Sequence, residues 1–394
     1  MEEIRLCRGR ARPIWAGHPE VLSGAVESVT GSPAAGEVVL VRDHESRPIG
    51  RGFFAPASPV RVRMVTRDPG EEIDAAFFLR RARRAAALRA SLGLPSAETT
   101  VYRVVHSAGD GLPGLVADRY GDWLTIEISN RGMERRAEVV AAALAEAFGV
   151  RGARLLGAPA SPEEGLTGEG RELLPEPVPP EVPVRENGIR FVADLVHGQK
   201  TGHFADQREN RAAFARLAAG GRVLDCFTGT GGFGLAAARA GAASVLGVDS
   251  SGRALELAAG NASANGVADR MEFVKDDVFR FLRRIEREGR RFDAVVLDPP
   301  RMASRRRELR NGLRGYKELN LRALRLLVPG GLLATSSCTG ILPEEDFFGI
   351  VRDAALDAKR EVQWFFRSGQ APDHPWPAAC PEARYLKFAL ARIH

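Results

Sequence analysis

Cys338 follows a run of strand-like residues, Gly331-Leu-Leu-Ala-Thr-Ser-Ser337, and leads into Thr339-Gly340. A cysteine at the carboxyl end of a strand can face a crevice, and a thiolate there can add to C6 of a pyrimidine. That addition makes C5 nucleophilic enough to take a methyl group. A second candidate is Asp298, which closes Arg291-Phe-Asp-Ala-Val-Val-Leu-Asp298-Pro299-Pro300. Proline cannot continue a sheet ladder, so the strand ends there and its carboxyl edge opens onto solvent or ligand. Cys338, Asp298, Pro299 and Pro300 therefore form the candidate catalytic set. Cys338 would be the nucleophile, Asp298 would hold the base by its exocyclic amine or N3, and the prolines would be a rigid wall. Against this stands the ordinary role of a buried cysteine as inert filler. A free thiol with a pKa of about 8.5 is only a few per cent thiolate at neutral pH, so a neighbouring cation or proton acceptor would have to help.

A methyl-transfer reading needs a donor, and residues 222–249 offer a place for one. Val223-Leu224 begin a buried strand, Asp225 to Gly234 make a glycine-rich turn, and the alanines from Ala236 make a helix. Ser244 to Val248 then form a second strand ending on Asp249. Such a unit holds a nucleotide-like cofactor. Gly229, Gly231 and Gly234 fit the dinucleotide fingerprint, so NAD is one reading. Three acids favour S-adenosylmethionine (SAM). Asp225 can meet a cationic methionine end, Asp249 the ribose hydroxyls, and Asp276-Asp277, after a strand at 271–275, an adenine amino group. The competing role of these acids, as turn and cap residues, suits Asp276 best.

These residues must be positioned by strands and helices that alternate from about Glu186 onward, which predicts a parallel α/β sheet. A helix near 344–358 precedes two strand-like runs, 360–366 and 384–391, expected to close the sheet edge as an antiparallel hairpin. Upstream, 1–68 reads as a small β domain with strands near 37–41, 49–54 and 60–65. Residues 69–184 read as a small α/β domain, with helices near 75–92 and 134–148 and strands near 101–105 and 123–128. Its proline-rich end, 157–184, reads as a linker. At 394 residues the chain exceeds what a single core usually supports.

With 56 Lys and Arg against 50 Asp and Glu, the net charge of +6 favours a polyanionic partner. Arg301, Arg305, Arg306, Arg307, Arg310, Arg314 and Lys317 crowd the segment after Asp-Pro-Pro, opposed by Glu308 alone. That run is either a phosphate track or a solvated helix surface. The same pair of readings applies to Arg80, Arg81, Arg83, Arg84 and Arg89 on the helix near 75–92. The four cysteines are scattered without a C-x-x-C pair, so no metal site or disulfide framework is expected. The N-terminus lacks a signal peptide's apolar core and no stretch is apolar enough for a bilayer, which predicts a cytoplasmic protein with no membrane partner. A homodimer is left open.

Several motifs occur in one order: Gly198-Gln-Lys-Thr-Gly202-His-Phe-Ala-Asp206-Gln-Arg208-Glu-Asn-Arg211, Asp225-Cys-Phe, Gly231-Gly-Phe, Leu297-Asp-Pro-Pro, Gly315-Tyr-Lys-Glu-Leu-Asn320, Ser337-Cys338 and Asp373-His-Pro375. Together they resemble the bacterial 23S rRNA cytosine-C5 methyltransferases with an N-terminal PUA domain, over nearly the whole chain. The resemblance implies a β-barrel PUA domain at 1–68, a small α/β middle domain at 69–184, and a Rossmann-like seven-stranded SAM methyltransferase domain at 185–394. It implies Cys338 as nucleophile, SAM contacts at Phe227, Thr228, Gly229, Asp249 and Asp277, and the 199–208 segment as an active-site wall. With the acids above, the cofactor set becomes Asp225, Phe227, Thr228, Gly229, Gly231, Asp249, Ser250, Asp277, Gln199, Phe204 and Asp298. The chain departs from the family pattern at Glu20, Ala108, 158–165 and Thr339, positions that concern the RNA side.

The implied activity is 5-methylcytidine formation in 23S rRNA on a flipped base. Asp373, His374 and Lys317 are candidates for the base that removes the C5 proton. The alternatives are methylation of another RNA base (uracil C5 or a guanine), methylation of a small molecule or protein, and a non-catalytic PUA-type RNA-binding factor.

Overall fold

The computed structural model describes residues 2–157, 161–195 and 203–394. The chain divides into two compact units. The first comprises Met1–Val184, Ala193–His203 and Pro372–Ala383; the second comprises Arg185–Val192, Phe204–Ala371 and Arg384–His394.

The first unit carries two sheets. Six strands run in the order Glu20–Leu22, Val60–Thr66, Pro48–Phe54, Val38–Arg42, Glu3–Leu6, Val26–Thr30. Three of them (Glu3–Leu6, Glu20–Leu22 and Val26–Thr30) are short and lie outside the strands expected from sequence. The second sheet orders Arg171–Glu172, Gly152–Leu155, Trp123–Ile128, Leu115–Tyr120 and Val101–His106. Helices Ala75–Ser91 and Ala137–Phe148 pack with this sheet in one core. Part of the proline-rich stretch is anchored: Glu164 accepts from Arg63 at 2.6 and 2.9 Å and from Ser58 Oγ at 2.5 Å. The arginines of helix Ala75–Ser91 are largely spent within this unit. Arg89 is fully buried against Asp110, at 2.5 and 2.9 Å, and Arg80 and Arg83 pair with Glu71 and Glu146.

The second unit is a seven-stranded sheet with helices. Its elements are β1 (Arg222–Cys226), α1 (Gly232–Arg239), β2 (Ser244–Asp249), α2 (Gly252–Ala264), β3 (Met271–Lys275), α3 (Val278–Arg287) and β4 (Phe292–Leu297). They continue as α4 (Arg306–Leu326), β5 (Leu327–Ser337), α5 (Glu344–Ala358), β6 (Val362–Ser368) and β7 (Lys387–Ile393). The order is β3-β2-β1-β4-β5-β7-β6, parallel except for β7, which runs antiparallel to both neighbours. The expected closing hairpin is therefore present, with its second strand inserted inside its first. Helix α3 shows why the crossovers pack: Val278, Phe281, Leu282 and Ile285 recur at helical spacing and are buried, while its arginines face outward.

The connections reverse direction at β1 and β4, so the carboxyl ends of these neighbours border the crevice where such sheets hold ligands. Cys226 pairs with Leu297, and Leu297 with Thr335, so the ends of β1, β4 and β5 reach one edge together.

Candidate active site

The turn after β1 uses three left-handed residues, Phe227 at φ 61°, Gly229 at 54° and Gly231 at 92°. At Gly231 an added Cβ would combine that conformation with a 3.1 Å approach to Leu235, so glycine is needed. Phe227 bears a Cβ at positive φ, the kind of local strain that collects at functional turns.

Asp225 holds this turn from within. Its Oδ2 accepts from Thr228 Oγ1 at 2.6 Å and from the Gly234 N–H at 2.8 Å. Burial pushes its carboxyl up to about 7 in spite of these donors. Asp249 accepts from the N–H groups of Gly229 and Ser251, each at 2.9 Å. The Gly229 amide is thus directed at a carboxylate. Two acids at the turn suit an ammonium and ribose hydroxyls and would repel a diphosphate. A Cβ built on Gly229 meets nothing within 4 Å, which leaves room above the turn. Ser250 and Asp277 are exposed. Asp277 Oδ1 caps α3 through the Arg280 N–H at 2.9 Å, and its other oxygen can accept from an amine. Its neighbour Asp276 is structural, bound by Arg280 at 2.6 Å and Arg284 at 2.8 Å. The donor set fits SAM rather than a dinucleotide.

At the ends of β4 and β5 the two chemical candidates meet. Cys338 Sγ lies 3.9 Å from the Pro299 carbonyl oxygen. Asp298 Oδ1 accepts from Ser336 Oγ at 2.5 Å and Gln207 Nε2 at 2.8 Å. Burial holds the Asp298 carboxyl above its ordinary range, Asp206 adds to the shift, and Arg211 opposes it. Pro299 is buried and Pro300 exposed. The Gln207 bond ties the 204–208 part of the expected wall to the Asp-Pro-Pro turn, and Phe204 within it is 42% exposed. Gln199 lies outside the described residues. Cys226 is wholly buried, and desolvation drives its thiol well above the usual range, which fits a packing role.

Three supporting residues, two of them within the quoted motifs, were given no such role from sequence. Gln207 is one. Tyr316, from α4, accepts from Ser337 Oγ at 2.9 Å and shares a 2.8 Å bond with Thr339 Oγ1, bracing both neighbours of Cys338. Lys387 opens β7 and donates to the Thr339 carbonyl at 2.6 Å. A lysine at the head of the largely apolar run Phe388-Ala-Leu-Ala391 was the available signal.

The three bases considered for C5 deprotonation are differently employed. Asp373 and His374, at most 1% exposed, belong to the first unit, where Asp373 accepts from the Arg103 N–H at 2.8 Å. His374 packs there on His106 at 5.2 Å between ring centroids. Lys317 pairs with Asp357 at 2.8 Å. The first unit also gathers His18, Cys380 and Glu382, with potential ligand atoms within 4.8 Å of one another. His18 Nε2 and Glu382 Oε1 are hydrogen-bonded at 2.9 Å, and burial lifts the Cys380 thiol to about 12.

Residues 164–379 match the S-adenosylmethionine-dependent methyltransferase family, and residues 4–67 match a PUA-like domain. The chain is 43% identical to ribosomal RNA large subunit methyltransferase I of Shewanella denitrificans, covering 99% of each, and 38% identical to the protein of that name from Escherichia coli, covering 98% of each. The chain belongs to this family. It is a SAM-dependent methyltransferase with an N-terminal PUA-like domain on an α/β fold. A SAM-dependent methyltransferase structure from Streptococcus mutans shares the fold over the full length of both chains, at a TM-score of 0.85 and 20% identity. A methyltransferase solved with SAH does so at 0.86 and 21% identity, again over both full chains. Among the described residues no helix is long and apolar enough to cross a membrane.

Proposed function

We propose that this methyltransferase acts on large-subunit ribosomal RNA and forms 5-methylcytidine through a covalent Cys338–C6 adduct on a flipped cytosine. The observation that carries this reading is the approach of Cys338 Sγ to Pro299 beside the hydrogen-bonded Asp298. The relatives' name supports the RNA class. In this reading residues 1–68 are the PUA-like part, 69–184 the middle part and 185–394 the methyltransferase part.

Asp225, Phe227–Gly229, Gly231, Asp249, Ser250 and Asp277 would hold SAM, with Phe204 and Asp298 at the crevice. When bound, SAM supplies an electrophilic methyl group for C5 of the base. The protein's own residues do the remaining work. Asp298, whose carboxyl burial raises above its ordinary range, can share a proton with ring N3, which draws electron density from C6, or hold the base by accepting from its exocyclic amine. Cys338 adds as thiolate at C6; after the methyl group reaches C5, a base takes the C5 proton, its C–H pair re-forms the C5–C6 double bond, and the S–C bond breaks to return the thiolate. Pro299 and Pro300 restrict the base to one plane.

The test incubates purified protein with labelled SAM and unmethylated 23S rRNA and identifies the product nucleoside by mass spectrometry. The expected product is 5-methylcytidine, absent with Cys338→Ala. A Cys338→Ala enzyme that still methylates ends the covalent scheme, and 5-methyluridine would reassign the base.

A further inference from the structure

Lys387 is buried, at 4% exposure, and lies directly across the sheet from Ser337. Its Nζ donates to two carbonyl oxygens, Thr339 at 2.6 Å and Tyr385 at 2.9 Å. Both acceptors are neutral. A buried ammonium held by carbonyls still needs a negative charge nearby. The ionisable groups that face it are Cys338 and Glu344, at the start of α5, whose negative forms would favour the ammonium, and Arg301 and Arg384, which oppose it. The Tyr316, Ser337 and Thr339 hydroxyls tie down the chain on either side of the cysteine, and Lys387 is joined to the same stretch by its pairing with Ser337 and its bond to Thr339.

We propose that Lys387 is the positioning residue that holds Cys338 as a thiolate, its ammonium balancing the sulfur's charge at the end of β5. The proton balance is internal: Sγ–H and a neutral amine become S⁻ and –NH₃⁺ when one proton passes from sulfur to nitrogen. Burial draws Lys387 down to about 8, near the value of about 8.5 for a free thiol, so the two groups compete for one proton close to neutrality. An exposed lysine, far more basic, would be charged whatever the cysteine did. The inference rests on Cys338 being the nucleophile. It supplies the cation that the sequence required and did not identify.

The test is the rate of Cys338 alkylation by iodoacetamide against pH, read by peptide mass spectrometry on the full chain. The wild-type midpoint should fall below about 8.5. Lys387→Met should raise that midpoint by about one unit, slowing labelling about tenfold near neutral pH, while Lys387→Arg keeps most of the acceleration. An unshifted midpoint in a folded Lys387→Met protein overturns the proposal. So does a wild-type midpoint at or above about 8.5, an arm that needs no variant to fold. Labelling requires no RNA, so failure to methylate rRNA would count against the function and leave this result standing. Methylation with an unshifted midpoint would remove Lys387 alone.

Discussion

Asp225 shows how a carboxylate's place before a turn can be read from sequence while its local duty stays hidden. Its position before a glycine turn was legible; the bonds to Thr228 and Gly234 were not, because they depend on the path of the turn. Those bonds do not fully offset its burial, and the carboxyl titrates at about 7 in the fold. Its usual value is near 3.9, so between about 4 and 7 the folded state binds the extra proton. Stability from this group is therefore complete below about 4 and declines as pH rises through about 7. Above that point the ionised carboxylate lacks a cation that a bound methionine ammonium would provide. SAH affinity, measured by titration calorimetry, should accordingly weaken below about pH 7. It should weaken again once the pH passes the point at which the ligand's own amino group loses its proton. Asp225→Asn should abolish the acid limb; a wild-type curve flat from pH 5 to about 7 would place the ligand's ammonium elsewhere.

At the scale of elements, period and punctuation made most of the catalytic unit readable. Asp-Pro-Pro stopped β4, the glycines marked the turn, and alternating strands and helices announced the parallel sheet. What stayed obscure was how α4 serves the site. Its arginine-rich first half reads as surface, yet its inner face carries Tyr316, 1% exposed, to the chain around Cys338. Nothing in helical periodicity separates a core tyrosine from one that braces a catalytic loop. Tyr316→Phe leaves the ring and removes the hydroxyl, so Ser337 and Thr339 lose a shared partner. Buried hydroxyls stripped of a bond cost about 1–3 kcal/mol. In a domain of this size that lowers the melting temperature by several degrees, roughly 2–4 °C per kcal/mol. Methyl transfer should fall further than SAH binding, because the disturbed chain carries the proposed nucleophile and lies apart from the cofactor turn. Equal melting temperature and full activity in Tyr316→Phe would show the bracing to be idle.

For the whole molecule, the net charge of +6 was readable at once, but its useful distribution was not. Two arginine-rich helices looked alike in sequence, and the structure separates them by partners. Arg80, Arg83 and Arg89 of Ala75–Ser91 are committed to Glu71, Glu146 and Asp110, for which no local pattern existed because the partners lie up to 63 residues away. Arg301, Arg305, Arg306, Arg307, Arg310 and Arg314 are exposed and make no ion pair among the described residues. The Met302 N–H bonds Thr339 Oγ1 at 3.3 Å, so this run is anchored to the residue after Cys338. Cations without an ion pair, anchored beside the proposed nucleophile, could grip the phosphates flanking a target base. Arg306, Arg310 and Arg314 recur every fourth residue and so share one face of α4. If that face follows an RNA strand, replacing all three by alanine removes up to three phosphate contacts. Each contributes about 0.7 to the slope of log affinity against log salt for a single strand, so the slope should flatten by about 2. Filter binding of an rRNA fragment from about 50 to 200 mM salt measures it, with SAH affinity as the control that must not move. An unchanged slope in the triple variant would mean that the positive charge on this helix serves solubility and that RNA is gripped elsewhere.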